Sequence, residues 1–399
     1  MLLDIYIIFS NVYIYPKMNR NQSILLIVTL CIFIYVIYRF VWKRNMITRI
    51  INKLQRKCLT CKPRCKNANC NCNTLENFEL FGTAKGEYNS LIETETINIA
   101  SLPADNTYLS ENERDKVRLK DYIVKSSYNS AVTGKYVNID MVKYLLKRGV
   151  RLLDFEIILF NDSPMITYTD DSSLETINTN NTLLLDNVFS MVVSNAFVQP
   201  TPNVKDPLFI HLRIKSKPGS NKLYRLIAKS IDSTLRDKLY NGQITKNTKI
   251  SDIMGKIVII VDKTINRDYK QISTCSPSEK DCYNLNKYVN LESGSDLLFL
   301  HHYNELLNLS QDIIRVEDKC PICTSTTNMR MVLPDTINKN TKNPNIDDFI
   351  LNYGSQFVLY KFYSKDEELE KYEQLFNDNK GGIIPLAYSI DYLKGNRSN

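Results

Sequence analysis

Apolar residues are distributed along this chain in two distinct ways. Residues 23–42 (SILLIVTLCIFIYVIYRFVW) are apolar almost without break, and their one charge, Arg39, lies near the end. About twenty residues at a 1.5 Å rise span the roughly 30 Å hydrocarbon layer of a bilayer, and a terminal Arg can snorkel to its surface. Tyr35, Tyr38 and Trp42 gather toward one end, as interfacial aromatics do. The pattern predicts one transmembrane helix after a lead of residues 1–22. A cleaved signal peptide is the alternative, although no small-residue cleavage site follows the apolar run. From residue 120 the pattern changes. Short apolar runs at 151–160 (RLLDFEIILF), 208–214 (LFIHLRI) and 256–261 (KIVIIV) read as buried strands, and 182–197 and 221–239 have helical periodicity. Strands alternating with helices imply a parallel sheet, doubly wound or closed into a barrel. Residues 75–119 are polar with few periodic apolar positions and read as a linker, while 266–290 and 324–345 read as loops. No G-x-G-x-x-G or P-loop follows a strand, which removes the usual nucleotide-binding versions of such a sheet.

Charge sharpens this division. The net charge is +8, with +2 on residues 1–42 and +9 on 43–74, so residues 75–399 carry −3. The basic character belongs to the segment beside the apolar run, not to the folded part, which argues against a nucleic-acid partner. The heavier positive charge on the C-terminal flank predicts a cytoplasmic main domain, and the same run would lie on an anionic leaflet. Many Ile, Asn, Lys and Tyr beside scarce Gly and Trp suggest an AT-rich genome, such as that of a large DNA virus.

Ten cysteines fall in groups. Cys31 lies in the apolar run. Cys58, Cys61, Cys65, Cys70 and Cys72 cluster within the basic segment 43–74, where Zn2+ ligation, disulfides and palmitoylation all remain open. Cys275/Cys282 and Cys320/Cys323 are local pairs. The second, C-P-I-C, fits half of a zinc or redox site and fits a loop staple equally well.

Several segments in order resemble the catalytic barrel of eukaryotic-type phosphoinositide-specific phospholipase C. They are SSYNSAVTG at 126–134, GVRLLDFEIILFND at 149–162, PMITYTD at 164–170, PLFIHLRIK at 207–215 and GKIVIIVDK at 255–263. Weaker likeness continues through 330–362, with Pro334, Pro344, Gly354, Gln356 and Phe362 in family order, and through 382–393. The resemblance implies a (β/α)8 TIM-type barrel after the transmembrane helix. Its X-like half would occupy 120–265, a divergent linker 266–328 and the Y-like half 329–393, with a tail at 394–399.

The resemblance also implies where chemistry would sit. The family's two catalytic histidines, general base and general acid, fall at Tyr128 and Thr169, neither of which exchanges a proton near neutral pH. Its Ca2+ ligands fall at Asn129, Asp154 and Glu156, with Arg213 at the fourth position, where a salt bridge would replace a metal. The lysines that meet inositol phosphates fall at Ile260 and Asp262, leaving Lys263, and the Ser and Arg of the second half are not recoverable in 338–343. His211 shares strand parity with Arg213 and is a candidate ligand-binding group; its competing reading is a buried structural histidine. His301 and His302 read as surface or packing residues on a helix.

These substitutions lead to the expectation of a membrane-anchored, phospholipase-C-like barrel that has lost phosphodiesterase activity and binds a lipid headgroup or a protein partner. An active phosphodiesterase using His211 or a carboxylate pair is the first alternative, with Ca2+ as its family cofactor. A structural envelope or virion protein is the second.

Overall fold

The computed structural model describes residues 35, 83–93, 117–275, 282–312, 314–335 and 342–397. The predicted span 23–42, Tyr35 apart, and the segment 43–74 with Cys58, Cys61, Cys65, Cys70 and Cys72 lie outside the described residues. Among the described residues no helix is long and apolar enough to cross a membrane.

The first described helix, α1 (Ala84–Glu93), falls in the stretch read as a linker. It docks through one carboxylate: Glu87 Oε1 accepts from Thr133 Oγ1 at 2.7 Å and from the amides of Lys135 and Tyr136 at 2.8 and 3.2 Å. Leu91 joins the core. Tyr88 and Ile92 pack beside it, and these three apolar positions within ten residues are too short a periodic signal to announce this helix from sequence.

The elements that follow are β1 (Tyr122–Ser127), α2 (Ile139–Lys147), β2 (Leu152–Phe160), β3 (Ser163–Ile166), β4 (Leu183–Leu184), α3 (Leu185–Ala196), β5 (Leu208–Lys215), α4 (Lys222–Thr234) and β6 (Ile257–Asp262). Then come α5 (Tyr269–Ile272), β7 (Leu291–Ser293), β8 (Leu298–His302), α6 (Tyr303–Leu307), β9 (Val316–Glu317), β10 (Cys320–Thr324) and β11 (Met329–Leu333). The chain ends with α7 (Ile346–Leu351), β12 (Phe357–Tyr360), α8 (Glu367–Asp378), β13 (Ile383–Pro385) and α9 (Leu386–Arg397). Strands β1, β2, β5, β6, β7, β8, β11 and β12 pair in parallel in that order, and β12 returns to β1, closing an eight-stranded barrel. The antiparallel β13 caps the start of β1, and β3 and β4 extend β2 beyond the ring.

Alternation along each strand sorts side chains between two cores. Val124, Leu152, Phe209, Val258, Ile260, Leu291, Met331 and Phe357 fill the lower barrel, where the Phe209 and Phe357 rings meet edge-on at 5.3 Å. Their neighbours Ile123, Leu153, Ile210, Ile259, Val332 and Val358 face outward against helices such as α3 and α4. A strand apolar on both faces is what a helix-covered parallel sheet requires, which is why β6 reads as an apolar run, and β2 and β5 are interrupted mainly at the inward positions Asp154, Glu156, His211 and Arg213. Gly149 follows α2 at φ +77°, and a Cβ on Gly382 would lie 2.2 Å from the Gly149 carbonyl, so the chain closes on the start of β1 only through bare backbone.

The segment 266–328, expected to be a divergent linker, supplies two barrel strands, β7 and β8, joined directly through residues 294–297. Likewise β11 lies in the stretch 324–345 expected to be loop, and His301 and His302 end a strand instead of occupying a helix. At three to five residues these strands fall below the length at which alternation can be recognised. Their place is set by the strands already beside them.

Candidate functional site

The carboxyl ends of the barrel strands carry the inward polar residues, and β1, β2 and β5 bring most of them together. The β2–β5 register sets Asp154 opposite His211 and Glu156 opposite Arg213. Arg213 Nε lies 3.0 and 3.2 Å from the two Asp154 oxygens, Nη2 lies 3.0 Å from Asp154 Oδ2, and Nη1 lies 2.8 Å from Glu156 Oε2. Nη2 also donates to Asn129 Oδ1, and the guanidinium stacks over the Tyr128 ring at 4.6 Å. Asn129, which follows β1 in the left-handed region at φ +46°, closes the circle by donating its amide to Asp154 Oδ2 at 2.9 Å. Four residues from two short segments, 128–129 and 154–156, thus converge on one planar cation.

Electrostatics follows from this packing. Burial works against ionising Asp154, but Arg213 and the hydrogen bond from His211 overcome it and bring its carboxyl down to about 2. Arg213 is correspondingly held protonated by Asp154 and Glu156 despite its burial. Burial pushes the Tyr128 phenol well above its ordinary value.

Around this centre lie the other sequence-selected residues. His211 is fully buried; its Nδ1 pairs with Asp154 Oδ1 at 2.8 Å and its Nε2 with Ser293 Oγ at 2.9 Å. Both ring nitrogens are therefore occupied. Thr169, also buried, donates its amide to Glu156 Oε1 at 2.7 Å and its hydroxyl to the Thr176 carbonyl at 2.7 Å. Ile260 belongs to the lower barrel core, and Asp262 accepts from the amide and hydroxyl of Thr264. Lys263 follows β6 with the opposite parity: its amide donates to the Ser293 carbonyl at 3.1 Å, and its charge acts on Glu292 outside the ring. It does not join the cluster around Arg213. Cys320 and Cys323 are bonded to each other, as are Cys275 and Cys282.

Two members were not singled out from sequence. Lys215 Nζ lies 3.0 Å from Glu156 Oε1 and donates to the Thr169 carbonyl; its parity with His211 and Arg213 along β5 was the available signal. Ser293 had none, because β7 is too short to be read as a strand. Above the cluster opens a cavity of about 610 Å³, lined among others by Tyr128, Tyr168, Asp170, Arg213, Lys215 and Ile265.

An eight-stranded parallel α/β barrel with its polar constellation at the carboxyl ends of the strands is a TIM-type architecture. Within that class, residues 116–263 match the family model described as phosphatidylinositol-specific phospholipase C, X domain. The match falls on the first of the two segments whose sequence resembles that family, residues 120–265. Among solved structures it is similar to that of L. pealei PLC21, at 15% identity and a TM-score of 0.51, and to that of S. officinalis PLC21, at 15% identity and a TM-score of 0.50. Each likeness covers 76% of this chain and 41% of the other, so this chain spans well under half of those proteins. At such identities the likeness is one of fold. No curated protein matches the sequence.

Proposed function

We propose that this chain is a phospholipase-C-like barrel without phosphodiesterase activity, anchored to a membrane through residues 23–42, whose mouth binds a lipid headgroup. The observation that carries this reading is the position of Arg213 among Asn129, Asp154 and Glu156. Ca2+ takes oxygen ligands at about 2.3–2.6 Å. The oxygens that would supply them are turned onto the guanidinium at 2.8–3.2 Å, and a divalent cation at the same point would meet a fixed positive charge. The residues as they stand do not fit the metal. Proton transfer is missing as well. The Tyr128 phenol is raised far from neutrality, the Thr169 hydroxyl is engaged with backbone, and His211 is enclosed with both nitrogens taken. Each lost acid–base group typically costs about 10²–10⁴ in rate.

Binding is supported by the cavity itself and by the X-domain match, whose family is named for a phosphatidylinositol lipid. Lys215, with about a quarter of its side chain exposed, is the cation placed to meet a phosphate there. The test uses the full-length chain with phosphatidylinositol micelles, with and without Ca2+. No inositol phosphate should be released above buffer, while inositol phosphate should bind and Lys215→Ala should weaken that binding. Ca2+-dependent release that Asn129→Ala abolishes would return the chain to the enzymes. Neither turnover nor headgroup binding would point to a protein partner at the mouth.

A further inference from the structure

The folded part of the chain holds no free thiol. Residues 75–399 contain four cysteines, and all four are paired: Cys275 with Cys282, with Cα atoms 5.7 Å apart, and Cys320 with Cys323, with Cα atoms 5.2 Å apart. The second pair sits on β10, whose Thr324 amide and hydroxyl both reach Asp121 Oδ1 at 2.9 Å beside the start of β1. Cys323 is buried in that contact and Cys320 is partly exposed. Glutathione and thioredoxin keep cytosolic thiols reduced, and cysteines of cytosolic proteins are commonly lone and buried. A domain in which every cysteine has a bonded partner is built for an oxidising compartment.

Basic charge beyond the apolar run argues the other way, for a cytosolic barrel. The cysteines outweigh it on physical grounds. Flanking charge biases the orientation in which a segment inserts, whereas a disulfide must persist against the redox poise of the compartment in which the domain resides. We infer that the barrel lies on the non-cytosolic side of its membrane and is N-glycosylated there. Three N-x-S/T acceptor triplets fall in its described residues, at Asn161-Asp162-Ser163, Asn180-Asn181-Thr182 and Asn308-Leu309-Ser310. All three asparagines are exposed: Asn161 in the turn between β2 and β3, Asn180 before β4, and Asn308 after α6. An asparagine-rich chain forms such triplets by chance, so they act as reporters of compartment while the cysteine pairing carries the argument. A fourth triplet, Asn396-Arg397-Ser398, reaches past the described residues on the same side of the apolar run, and one at Asn21 precedes the run and would stay on the opposite face, unmodified.

The inference rests on the anchor reading only for how the chain enters the membrane, and alkaline carbonate extraction tests that part separately. A glycosylated chain that washes off has lost its anchor, not its compartment. The decisive experiment expresses the full-length chain in cultured animal cells and treats the membrane fraction with peptide N-glycosidase. The expected result is a stepwise mobility shift, reduced by one step in each of Asn161→Gln, Asn180→Gln and Asn308→Gln. In the same cells Cys275, Cys282, Cys320 and Cys323 should resist alkylation until a reductant is added. Absence of glycan at all three positions overturns the proposal, and so do cysteines that alkylate without reduction.

Discussion

Two buried ion clusters stand at different depths of this barrel and use charge differently. In the wall, between the strands and their helices, Glu373 on α8 receives Arg148 Nε at 2.8 Å and Lys125 Nζ at 3.2 Å, and Lys125 also donates to the Arg148 carbonyl at 2.7 Å. That cluster has two cations to one anion, and its partners lie more than 200 positions apart, so it ties the first strand to the last third of the chain. At the mouth the charges match: Arg213 faces Asp154 and Glu156, both from β2, Lys215 also meets Glu156, and the cluster opens onto a cavity. A buried pair stabilises little against a well-packed apolar substitute, yet is expensive to break once it is present. The wall cluster therefore holds the barrel closed. The mouth cluster settles which cation the carboxylates face.

The comparison can be broken most directly at Glu373. Glu373→Gln removes the carboxylate that Lys125 and Arg148 share in the wall and should cost about 3–5 kcal/mol in urea unfolding. A loss below about 1 kcal/mol would remove the wall cluster as a closing device. Arg213→Met comes next, at about 2–4 kcal/mol, eased by the water that the mouth can admit. Its second readout is sharper. With the guanidinium gone, Asn129, Asp154 and Glu156 form an acidic cup, so Ca2+ should raise the Tm of the variant and leave that of the unsubstituted chain unchanged.

Acid titration separates the clusters further. The folded Asp154 carboxyl titrates at about 2, below the ordinary value near 3.8. A depressed carboxylate contributes stability that is complete above its unfolded pKa and is lost as pH falls through the folded one. That contribution, about 2–3 kcal/mol, should fade between roughly pH 4 and pH 2. Asp154→Asn should flatten the loss in that window while leaving the part due to Glu373, whose carboxyl is also held down by Lys125 and Arg148. The smallest effect expected is that of Ser293→Ala. It removes one neutral partner from His211 Nε2 and should cost about 1 kcal/mol, leaving the ion pairs intact.

Much of this architecture was legible in the amino-acid order. β2, β5 and β6 are long and mostly apolar, with an unbroken apolar outward face, so burial identifies them, and their alternation with α3 and α4 is enough to imply a parallel sheet. Strand parity placed His211 with Arg213 on one face of β5 and Asp154 with Glu156 on one face of β2, because side chains alternate with a period of two whatever the strand pairs with. The short strands β7, β8 and β11 were not legible, since three to five residues carry no period of their own and are held by neighbours already in place. Helix α1 was hidden for a similar reason, as its docking depends on Glu87 meeting donors more than 40 positions away. The same limit applies to the mouth. Sequence identifies Arg213 as a cation at a ligand position, but only closure of the ring decides that it faces Asp154, Glu156, Asn129 and Tyr128 together, that Lys263 turns outward, and that Ser293 arrives to hold His211. Local pattern determines which face a residue takes, whereas the partner across the barrel is fixed by register and closure, which no single segment contains.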